Sequence, residues 1–350
     1  MMEYVDIEKV IDPIGKIPVI DVRSPSEYKH GHLPGAVNIP LFDDEERARV
    51  GKLYKNSGRD AATLLGLEIV GPKMVGLVKQ ARKVNSKNGL FMYCWRGGMR
   101  SASMAWLFNT SGLKVTVVKG GYKAYRKFIR AEFSKQMKCW VLGGMTGSGK
   151  TEILHKMKQK GDQVLDLENL ANHKGSAFGA IGLPAQPTNE QFENDIYMEF
   201  SFFDLSRIVW VENESRSIGM NSVPEPLFKQ MRDAPLVNLV MAKELRIQRL
   251  VKEYTSFNLE KLEEATNRIA KKLGGAQTKK AVEAIRNGDF YTAIDITLSY
   301  YDQTYQYGLS RRDEKLVFNI EIAEDNPEKT ADIILDQVMG LEQNILKNAL

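Results

Sequence analysis

Cysteine is scarce in this chain, which has two, Cys94 and Cys139, among 350 residues. Two cysteines cannot form a disulfide framework, which excludes the small disulfide-rich secreted class and favours a reducing, cytoplasmic setting. Long apolar runs are also absent, because no run approaches the roughly 20 residues of a membrane span, and the first residues do not resemble a signal peptide. We therefore expect a cytoplasmic protein without a membrane partner.

The excess of positive over negative charge in the chain is small. The sequence also shows no internal repeat of about 20 to 50 residues. The net charge is +5, and segment 243–287 alone holds eleven Lys or Arg against six Glu and no Asp, so the remainder is neutral. A basic helical segment on a neutral body is compatible with a nucleic-acid surface, and equally with a solvated helix face. The length of 350 residues and the apolar content of 43% predict about two globular domains.

The most specific motif in the chain is G-x-x-x-x-G-K-T at residues 144–151. An apolar, strand-like segment precedes it and a helical pattern follows, which is the context that a phosphate-binding loop requires. Loop N–H groups and the helix N-terminus bind phosphate oxygens, Lys150 adds a positive charge, and the Thr151 hydroxyl suits Mg²⁺. The motif predicts a polyphosphate site without identifying the polyphosphate. Its residues are Gly144, Gly147, Gly149, Lys150 and Thr151.

Two acidic residues, Glu212 and Glu214, follow the strand-like segment 207–211. An acid at the end of such a strand, downstream of a phosphate loop, commonly binds Mg²⁺. We therefore expect Thr151 together with Glu212 or Glu214 to hold Mg²⁺ beside a diphosphate, and the sequence does not choose between the two acids. No tightly bound cofactor is expected.

A polar, glycine-containing segment, 168–179, is predicted to form a loop over the phosphate site. Asp166 precedes it at a strand end, where it could serve as a Mg²⁺ ligand, as a base or as a cap. Within the segment, His173 and Lys174 could contact an anion, although a lone histidine is more often structural.

Strand-like segments alternate with helical patterns through residues 1–135, which predicts a parallel α/β sheet. Cys94 directly follows an apolar strand and opens the loop C-W-R-G-G-M-R-S before a helix. Loop N–H groups, the helix N-terminus, Arg96 and Arg100 would stabilise its thiolate and cradle a tetrahedral anion beside the sulfur. A buried structural cysteine is the alternative, but the glycines and arginines favour a nucleophile. Cys139 has no basic loop after it and is predicted to lie in the core.

The pattern after residue 243 is mainly helical, and residues 300–312 interleave tyrosines with two arginines. Such a stretch can stack on unpaired RNA bases and hold phosphates, although packing on neighbouring helices is the favoured interpretation for most of the tyrosines. The candidate RNA-binding residues are Lys271, Lys272, Lys279, Lys280, Arg311 and Arg312.

The first domain resembles a rhodanese domain in Asp21-Val-Arg23, in Glu27, in the segment 31–40 and in the Cys94 loop. That family carries sulfur as a cysteine persulfide, and the resemblance makes Asp21 and Arg23 further site candidates. The loop C-x-x-x-x-x-R is one residue longer than the usual rhodanese loop and resembles that of the dual-specificity phosphatases, which share the fold. A wider loop should admit a larger anion, such as a phosphate ester or selenophosphate.

The two domains together closely resemble the tRNA 2-selenouridine synthase family. The likeness extends across the chain and includes E-E-R-A-R-V-G-K-L-Y-K at 45–55, the stretch 166–179, and V-E-N-E-S-R-S-I-G at 211–219. The last stretch adds Arg216 to the site candidates.

These patterns and the resemblance predict an α/β chain of two domains. A rhodanese-like domain with a parallel sheet is expected at residues 1–135. A P-loop NTPase-like α/β domain is expected at 136–350, with a helical C-terminal part that contains the basic segment at about 243–310.

The resemblance also implies a function: selenium replaces sulfur in the 2-thiouridine at the anticodon wobble position of tRNA, with selenophosphate as the donor. A geranyl group from geranyl diphosphate would first convert that sulfur into a better leaving group. Cys94 would carry selenium as a selenenyl sulfide, and the phosphate loop would hold the diphosphate. The partners would be a tRNA with wobble 2-thiouridine and an enzyme that produces selenophosphate.

Two other functions remain open. The first is a rhodanese-fold phosphatase or sulfurtransferase fused to a nucleotide-driven kinase or ATPase domain, which the longer Cys94 loop favours. Many phosphatases with this loop have histidine before the cysteine, whereas Tyr93 stands here. The second is an RNA-binding regulator with an inactive rhodanese module, which the intact Cys94 disfavours.

Overall fold

The computed structural model describes residues 2–11 and 17–348, with side chains described up to residue 341. The chain divides into two compact units, one of Met1–Phe133 with Glu193–Met198 and one of Ser134–Phe192 with Glu199–Leu350. Each unit is built on its own five-stranded sheet, and the strand pairs of both sheets are parallel. The predicted α/β class is therefore confirmed.

The sheet of the first unit consists of β1 (Glu3–Val5), β2 (Val19–Asp21), β3 (Val37–Asn38), β4 (Leu90–Tyr93) and β5 (Val115–Val118). Its strand order is β1-β5-β4-β2-β3. The central strands are almost wholly buried, as parallel strands covered on both faces require. Asp21 and Tyr93 are partners in register, so the carboxyl ends of β2 and β4 lie at one edge of the sheet, where Cys94 follows.

The helices of this unit are α1 (Glu8–Ile11), α2 (Pro25–His30), α3 (Asp44–Val70), α4 (Met74–Val84), α5 (Met99–Thr110) and α6 (Gly121–Glu132). The sequence analysis assigned no element to α3. Its N-terminus is closed by a capping box in which the side chains of Asp43 and Glu46 each accept a hydrogen bond from the other's backbone N–H. Gly58, with φ 83° and ψ −173°, breaks the helical pattern inside it.

One helical stretch, Asp44–Val84, is long and apolar enough to cross a membrane by length and composition alone. An 18-residue window in it has a mean hydropathy of 1.5, and 11% of that window is buried. The α-helix is interrupted inside the stretch at Gly58 and by the 3-10 turn Gly71–Lys73, so no unbroken segment of about 20 residues exists there. The stretch is therefore largely exposed apolar surface, in contrast to the expectation that long apolar segments are absent.

The strands described in the second unit are β6 (Lys138–Gly144), β7 (Gln163–Leu165), β8 (Ile208–Glu212), β9 (Ser217–Ile218), β10 (Asn221–Ser222), β11 (Leu236–Met241) and β12 (Val317–Ile322). The main sheet has the order β12-β11-β6-β8-β7, and β9 and β10 form a separate antiparallel pair. Leu142 on β6 is the register partner of Glu212 on β8. The phosphate loop and Glu212 therefore lie at the same edge of this sheet.

The remaining helices are α7 (Lys150–Gln159), α8 (Leu167–Leu170), α9 (Asn189–Phe200), α10 (Glu225–Asp233), α11 (Lys243–Tyr254), α12 (Leu259–Arg268), α13 (Ala270–Leu273), α14 (Gly275–Arg286), α15 (Phe290–Leu309) and α16 (Pro327–Asn348). The predicted helical C-terminal part corresponds to α11 to α15, which pack around a core that includes Leu262, Ile285 and Leu298. The segment 168–179 is not a loop throughout as predicted, because it begins within α8.

Candidate active site

The phosphate-loop residues connect the end of β6 to the start of α7. Gly147 and Gly149 have φ of 85° and 79°, a region that residues with a Cβ rarely adopt. Backbone N–H groups in such a turn can face an anion, and the N-terminus of α7 adds positive potential. The Ser148 hydroxyl is buried and has no hydrogen-bond partner in the described part of the chain. The glycines therefore permit the tight turn between β6 and α7, and phosphate binding by this loop stays a prediction.

The two polar side chains at the end of the loop have local partners. The Lys150 ammonium donates a hydrogen bond to the Gly144 carbonyl, with an N–O distance of 2.9 Å. The Thr151 hydroxyl donates to the Glu168 carboxylate at 2.9 Å. Both donors belong to the predicted phosphate site, whereas Glu168 was not among the predicted site residues.

Three glutamates form an acidic cluster beside the loop: Glu168, Glu212 and Glu214. Burial raises the pKa of Glu212 well above its usual range, and the negative charges of Asp166 and Glu168 raise it further. Burial and the charge of Glu168 raise the pKa of Glu214 to about 8, against the opposing charge of Lys150. One oxygen of Glu212 accepts a hydrogen bond from the Leu167 N–H at 3.1 Å, and the other is buried without a partner among the described residues.

The acidic cluster contains the residues that were predicted to bind Mg²⁺. Among the described residues, no group of three or more His, Cys, Asp or Glu could hold a metal ion. Mg²⁺ at phosphate sites usually takes one or two carboxylates together with water and substrate phosphates, and such an arrangement fits the donor set here. The residue that contacts Thr151 is Glu168 rather than Glu212 or Glu214.

Asp166 lies at the end of β7 and acts as a cap. Its carboxylate accepts a hydrogen bond from the Asn169 N–H at 2.9 Å at the start of α8, and its other oxygen lies 2.7 Å from Nε2 of His155. Of the three roles that the sequence left open, the contacts of Asp166 match the cap. His155 was not identified from the sequence.

The other predicted residues near the loop have different surroundings. His173 is buried, and burial together with the charge of Arg268 lowers its pKa, which favours a neutral ring at pH 7. Lys174 forms an ion pair with Glu253, and the exposed Arg216 forms one with Glu225. The last two side chains are therefore engaged on the surface of the second unit.

Two arginines of α11 lie against the phosphate loop. Arg246 is buried, donates to the Thr146 carbonyl at 3.1 Å, and makes two hydrogen bonds of 2.8 Å to Asp302. Arg249 has its guanidinium carbon 3.2 Å from where a Cβ on Gly149 would lie. In the sequence both are visible only as charges of the basic segment, because their contact with the loop requires the tertiary fold.

Cys94 is buried between β4 and α5, and its sulfur lies 3.2 Å from the hydroxyl oxygen of Ser101. That hydroxyl also lies 3.0 Å from the Gly98 carbonyl, so it can donate to the carbonyl or, when the sulfur is a thiolate, to the sulfur. Ser101 follows Arg100 in the predicted loop, but the sequence analysis gave it no role.

The start of α6 holds the Cys94 loop in place. The Tyr122 N–H donates to the Cys94 carbonyl at 2.9 Å, and the Lys123 N–H donates to the Trp95 carbonyl at 3.0 Å. Gly121 has φ 55°, and a Cβ there would lie 2.2 Å from the Cys94 carbonyl oxygen. Only glycine permits this approach, which fixes the position of the loop backbone.

The arginines predicted at the Cys94 loop differ in their surroundings. Arg96 is exposed. Arg100 makes two hydrogen bonds to the Glu27 carboxylate, at 2.6 and 3.2 Å. Burial tends to raise the pKa of Glu27, but the hydrogen bond and charge of Arg100 hold that pKa below its usual value. An anion in the loop would compete with Glu27 for Arg100.

Asp21 and Arg23, predicted as further site candidates, form a buried pair inside the first unit instead. The Arg23 guanidinium donates hydrogen bonds to both oxygens of Asp21 and to the Gly31 carbonyl, the last at 2.6 Å. Its guanidinium carbon lies 3.9 Å from the centre of the Tyr122 ring. The two charges offset each other inside the first unit, so the contacts of this pair match a structural role.

The candidate RNA-binding residues do not share one environment. The four lysines of α13 and α14 are exposed: Lys271, Lys272, Lys279 and Lys280. Arg311 is exposed too and lies 5.8 Å from the Tyr307 ring centre. Arg312 is wrongly predicted, because it is buried and donates to the backbone carbonyls of Met231, Arg232 and Ala234. Burial lowers the pKa of Arg312 to about 10.

Cys139 lies in the core of the second unit, and burial raises the pKa of its thiol to about 12. A thiol with such a pKa is almost entirely protonated at neutral pH and is therefore a poor nucleophile. Of the two cysteines, Cys94 is therefore the one whose surroundings suit a nucleophile.

The fold and the two loops define a class of protein in which a rhodanese-like domain precedes a P-loop domain. A model of the rhodanese-like domain matches residues 6–128, and a model described as the tRNA 2-selenouridine synthase AAA domain matches residues 137–326. The chain belongs to the tRNA 2-selenouridine synthase family.

Similar proteins match over most of their length. The chain is 36% identical to the tRNA 2-selenouridine synthase of Bordetella petrii, over 86% of this chain and 89% of that protein. It is 34% identical to the tRNA 2-selenouridine synthase of Nitrosomonas europaea, over 85% of this chain and 91% of that protein. A solved N-terminal domain of a putative ATP/GTP binding protein from Clostridium difficile 630 is 37% identical, with a TM-score of 0.35, over 36% of this chain and 98% of that one.

Proposed function

We propose that the protein replaces sulfur by selenium in the wobble 2-thiouridine of tRNA, with selenophosphate as the donor and an S-geranyl-2-thiouridine intermediate made from geranyl diphosphate. Membership of the family over most of the chain supports this proposal. The observation on which it mainly depends is that the chain has two loops of different composition, each of which would suit an anion. One contains a nucleophilic cysteine, and the other contains a lysine, a hydroxyl and acids.

The phosphate loop suits the departure of a diphosphate. The tRNA sulfur attacks C1 of geranyl diphosphate, so a C–S bond forms while the C–O bond breaks and the diphosphate leaves with that electron pair. Lys150 would exchange the Gly144 carbonyl for a phosphate oxygen and offset the charge that develops on the leaving group. Thr151, with Glu168, Glu212 or Glu214, would hold Mg²⁺, which supplies further positive charge to the diphosphate when it is bound.

The Cys94 loop suits the transfer of selenium. The Cys94 thiolate first exchanges with a cellular disulfide and becomes a mixed disulfide. The selenium of selenophosphate attacks the Cys94 sulfur: an S–Se bond forms, the S–S bond breaks and a cellular thiolate leaves, and water then breaks the Se–P bond and releases phosphate. The terminal selenium attacks C2 of the S-geranyl uridine, so the C–S bond breaks and the geranyl thiolate leaves. A cellular thiol then attacks the Cys94 sulfur and breaks the S–Se bond, which releases the selenouridine and restores the mixed disulfide for the next turnover.

Three features of the loop support this role for Cys94. Its N–H groups and the N-terminus of α5 can bind the phosphate part of selenophosphate. Arg100 stands at the end of the loop, and Ser101 can donate a hydrogen bond to the thiolate.

The partners of the reaction would be bound elsewhere or supplied by another enzyme. The exposed lysines of α13 and α14, with Arg311, would bind tRNA phosphates, and a selenophosphate-producing enzyme would supply the donor in the cytoplasm.

The test is mass spectrometry of tRNA nucleosides from cells with and without the gene. The expected result is that 2-selenouridine disappears in the deletion and returns with a plasmid copy. Unchanged 2-selenouridine in the deletion would contradict the proposal. Release of phosphate from a phosphotyrosine mimic by the purified protein, without any change in tRNA nucleosides, would favour the phosphatase alternative.

A further inference from the structure

An open groove lies between α3 and the Cys94 loop, within the first unit. Its volume is about 920 Å³, which falls in the range of roughly 300 to 1,000 Å³ of small-molecule sites. Cys94 is among the residues that line it. Several of the apolar residues that line the groove are strongly exposed to solvent: Leu67 is 65% exposed, Tyr54 57% and Met99 45%. Apolar surface of this kind beside a nucleophile marks a binding site rather than a random surface feature.

The charge of the groove has one sign. The described residues that line it include six basic ones and no Asp or Glu, namely Arg47, Lys52, Lys55, Arg59, Arg96 and Arg100. Arg47 and Arg100 have Glu27 as a partner, whereas in the described part of the chain Lys52, Lys55, Arg59 and Arg96 have no carboxylate within ion-pair distance. An apolar floor under an unpaired basic rim complements an apolar group that is attached to a phosphate chain.

We propose that this groove binds the prenyl chain of an S-prenylated uridine while the basic rim holds the flanking RNA phosphates, so that C2 of the uridine lies at Cys94. This inference rests on the proposed function, because the prenylated nucleoside is its intermediate. The RNA-bound chain, rather than free prenyl diphosphate, is the occupant, because the atom that must reach Cys94 is the C2 carbon of the nucleoside. The second unit provides a separate loop for a diphosphate.

Such a groove would also distinguish the S-prenylated substrate tRNA from the selenated product tRNA. Burial of the chain adds affinity that 2-thiouridine and 2-selenouridine lack, so the groove selects the alkylated tRNA for selenium transfer. The displaced chain leaves as a thiol, and the product tRNA then no longer has an apolar group to place in the groove. The selenated product is therefore expected to bind more weakly than the S-prenylated substrate.

The test measures selenium incorporation into RNA stem-loops that carry S-methyl, S-prenyl or S-geranyl 2-thiouridine. For the wild type, kcat/KM should rise with chain length by up to roughly fourfold for each buried methylene, the factor that corresponds to ~0.8 kcal/mol. Leu67→Gln and Tyr54→Gln should lower kcat/KM for the S-geranyl RNA by roughly tenfold and leave the S-methyl RNA within about twofold. Leu64→Gln is the matched control, because Leu64 is on the same helix and 69% exposed but does not line the groove.

The outcomes separate this inference from the proposed function. If the wild type incorporates selenium into all three RNAs equally well, and Leu67→Gln behaves as Leu64→Gln, the groove inference is wrong and the proposed function stands. If the wild type converts none of the three, the proposed route through the S-geranyl intermediate fails. Inhibition of the S-geranyl reaction by free geranyl diphosphate that Leu67→Gln relieves would assign the groove to the diphosphate instead. Flotation with phosphatidylglycerol vesicles that both groove variants abolish, without chain-length dependence, would assign it to a membrane.

Discussion

Arg100 and Glu27, 73 positions apart in the chain, form two hydrogen bonds, at 2.6 and 3.2 Å, at the end of the Cys94 loop. Glu27 also accepts a hydrogen bond from the Ser24 N–H at 3.1 Å at the start of α2. One carboxylate thus ties the loop arginine to the helix that follows β2. The pair orients Arg100 when the loop is empty, and it must loosen if Arg100 is to hold an anion.

The first prediction concerns this pair and pH. Because Arg100 lowers the pKa of Glu27, the ionised pair stabilises the folded state above the unfolded pKa of about 4.5, and that stability is lost as pH falls through the lower folded pKa. Glu27→Gln should therefore lower the free energy of unfolding at pH 7 by about 1 kcal/mol, since both side chains are partly exposed. Urea unfolding at pH 7 and at pH 2 checks this, and a difference of the same size at both pH values would contradict it.

The second prediction separates the two half-reactions. Cys94→Ser should keep prenyl transfer and lose selenium incorporation, because in the proposed route the tRNA sulfur is itself the nucleophile for the prenyl group, whereas a serine hydroxyl stays protonated and cannot form the selenenyl sulfide. Incubation with thiolated tRNA, geranyl diphosphate and selenophosphate should accumulate geranylated nucleoside. Cys139→Ala is the control and should perform both reactions. Selenouridine formed by Cys94→Ser at the wild-type rate would show that selenophosphate attacks the tRNA directly.

The third prediction concerns the phosphate loop. Lys150→Ala should lower kcat for geranylation by about 100-fold to 1,000-fold, because the charge on the departing diphosphate is no longer offset. Lys156→Ala, on the same helix but paired with Glu328, should stay near the wild type. Selenium incorporation into RNA that is already S-geranylated should survive in both variants. Normal geranylation by Lys150→Ala would refute the assignment of this loop.

The fourth prediction concerns the exposed lysines of α13 and α14. Replacing all four by Gln should weaken tRNA binding and flatten its dependence on salt, with a change in slope of roughly 0.7 to 0.9 for each phosphate that the protein no longer neutralises. The replaced residues are Lys271, Lys272, Lys279 and Lys280. A control removes the same charge from exposed lysines of the first unit, Lys9, Lys29, Lys83 and Lys87. Equal effects of the two sets would mean that net charge, rather than this surface, governs binding.

The fifth prediction concerns the acidic cluster. The pKa of Glu214 is about 8 in the folded protein, so its contribution to stability is fully present below the unfolded pKa of about 4.5 and is lost as pH rises through 8. Stability of the protein without ligands should therefore fall between pH 5 and pH 8.5, and Glu214→Gln should make this fall shallower. Denaturation midpoints measured across that range provide the check. An unchanged slope in the variant would mean that Glu214 is already ionised at neutral pH.

Much of the fold and the existence of both loops could be predicted from the sequence. The phosphate loop and the Cys94 loop are each contiguous, so the residue order alone places glycines, basic residues and the nucleophile next to one another. Burial of the β-strands follows in the same way, because short apolar runs such as 90–93 have few alternatives to a covered parallel sheet. The α/β class and the assignment of Cys139 to the core followed from these local patterns.

The tertiary structure alone decided which distant residues meet. Glu168 is the partner of Thr151 although 17 positions separate them, and Arg246 reaches the Thr146 carbonyl from 100 positions away. Arg312 looks like a surface arginine in the sequence, yet chain packing buries it against three carbonyls. The groove beside Cys94 belongs to the same category, because its wall is the exposed apolar side of α3. Such contacts depend on how folded elements pack, and the periodicity of a single segment records only its own burial.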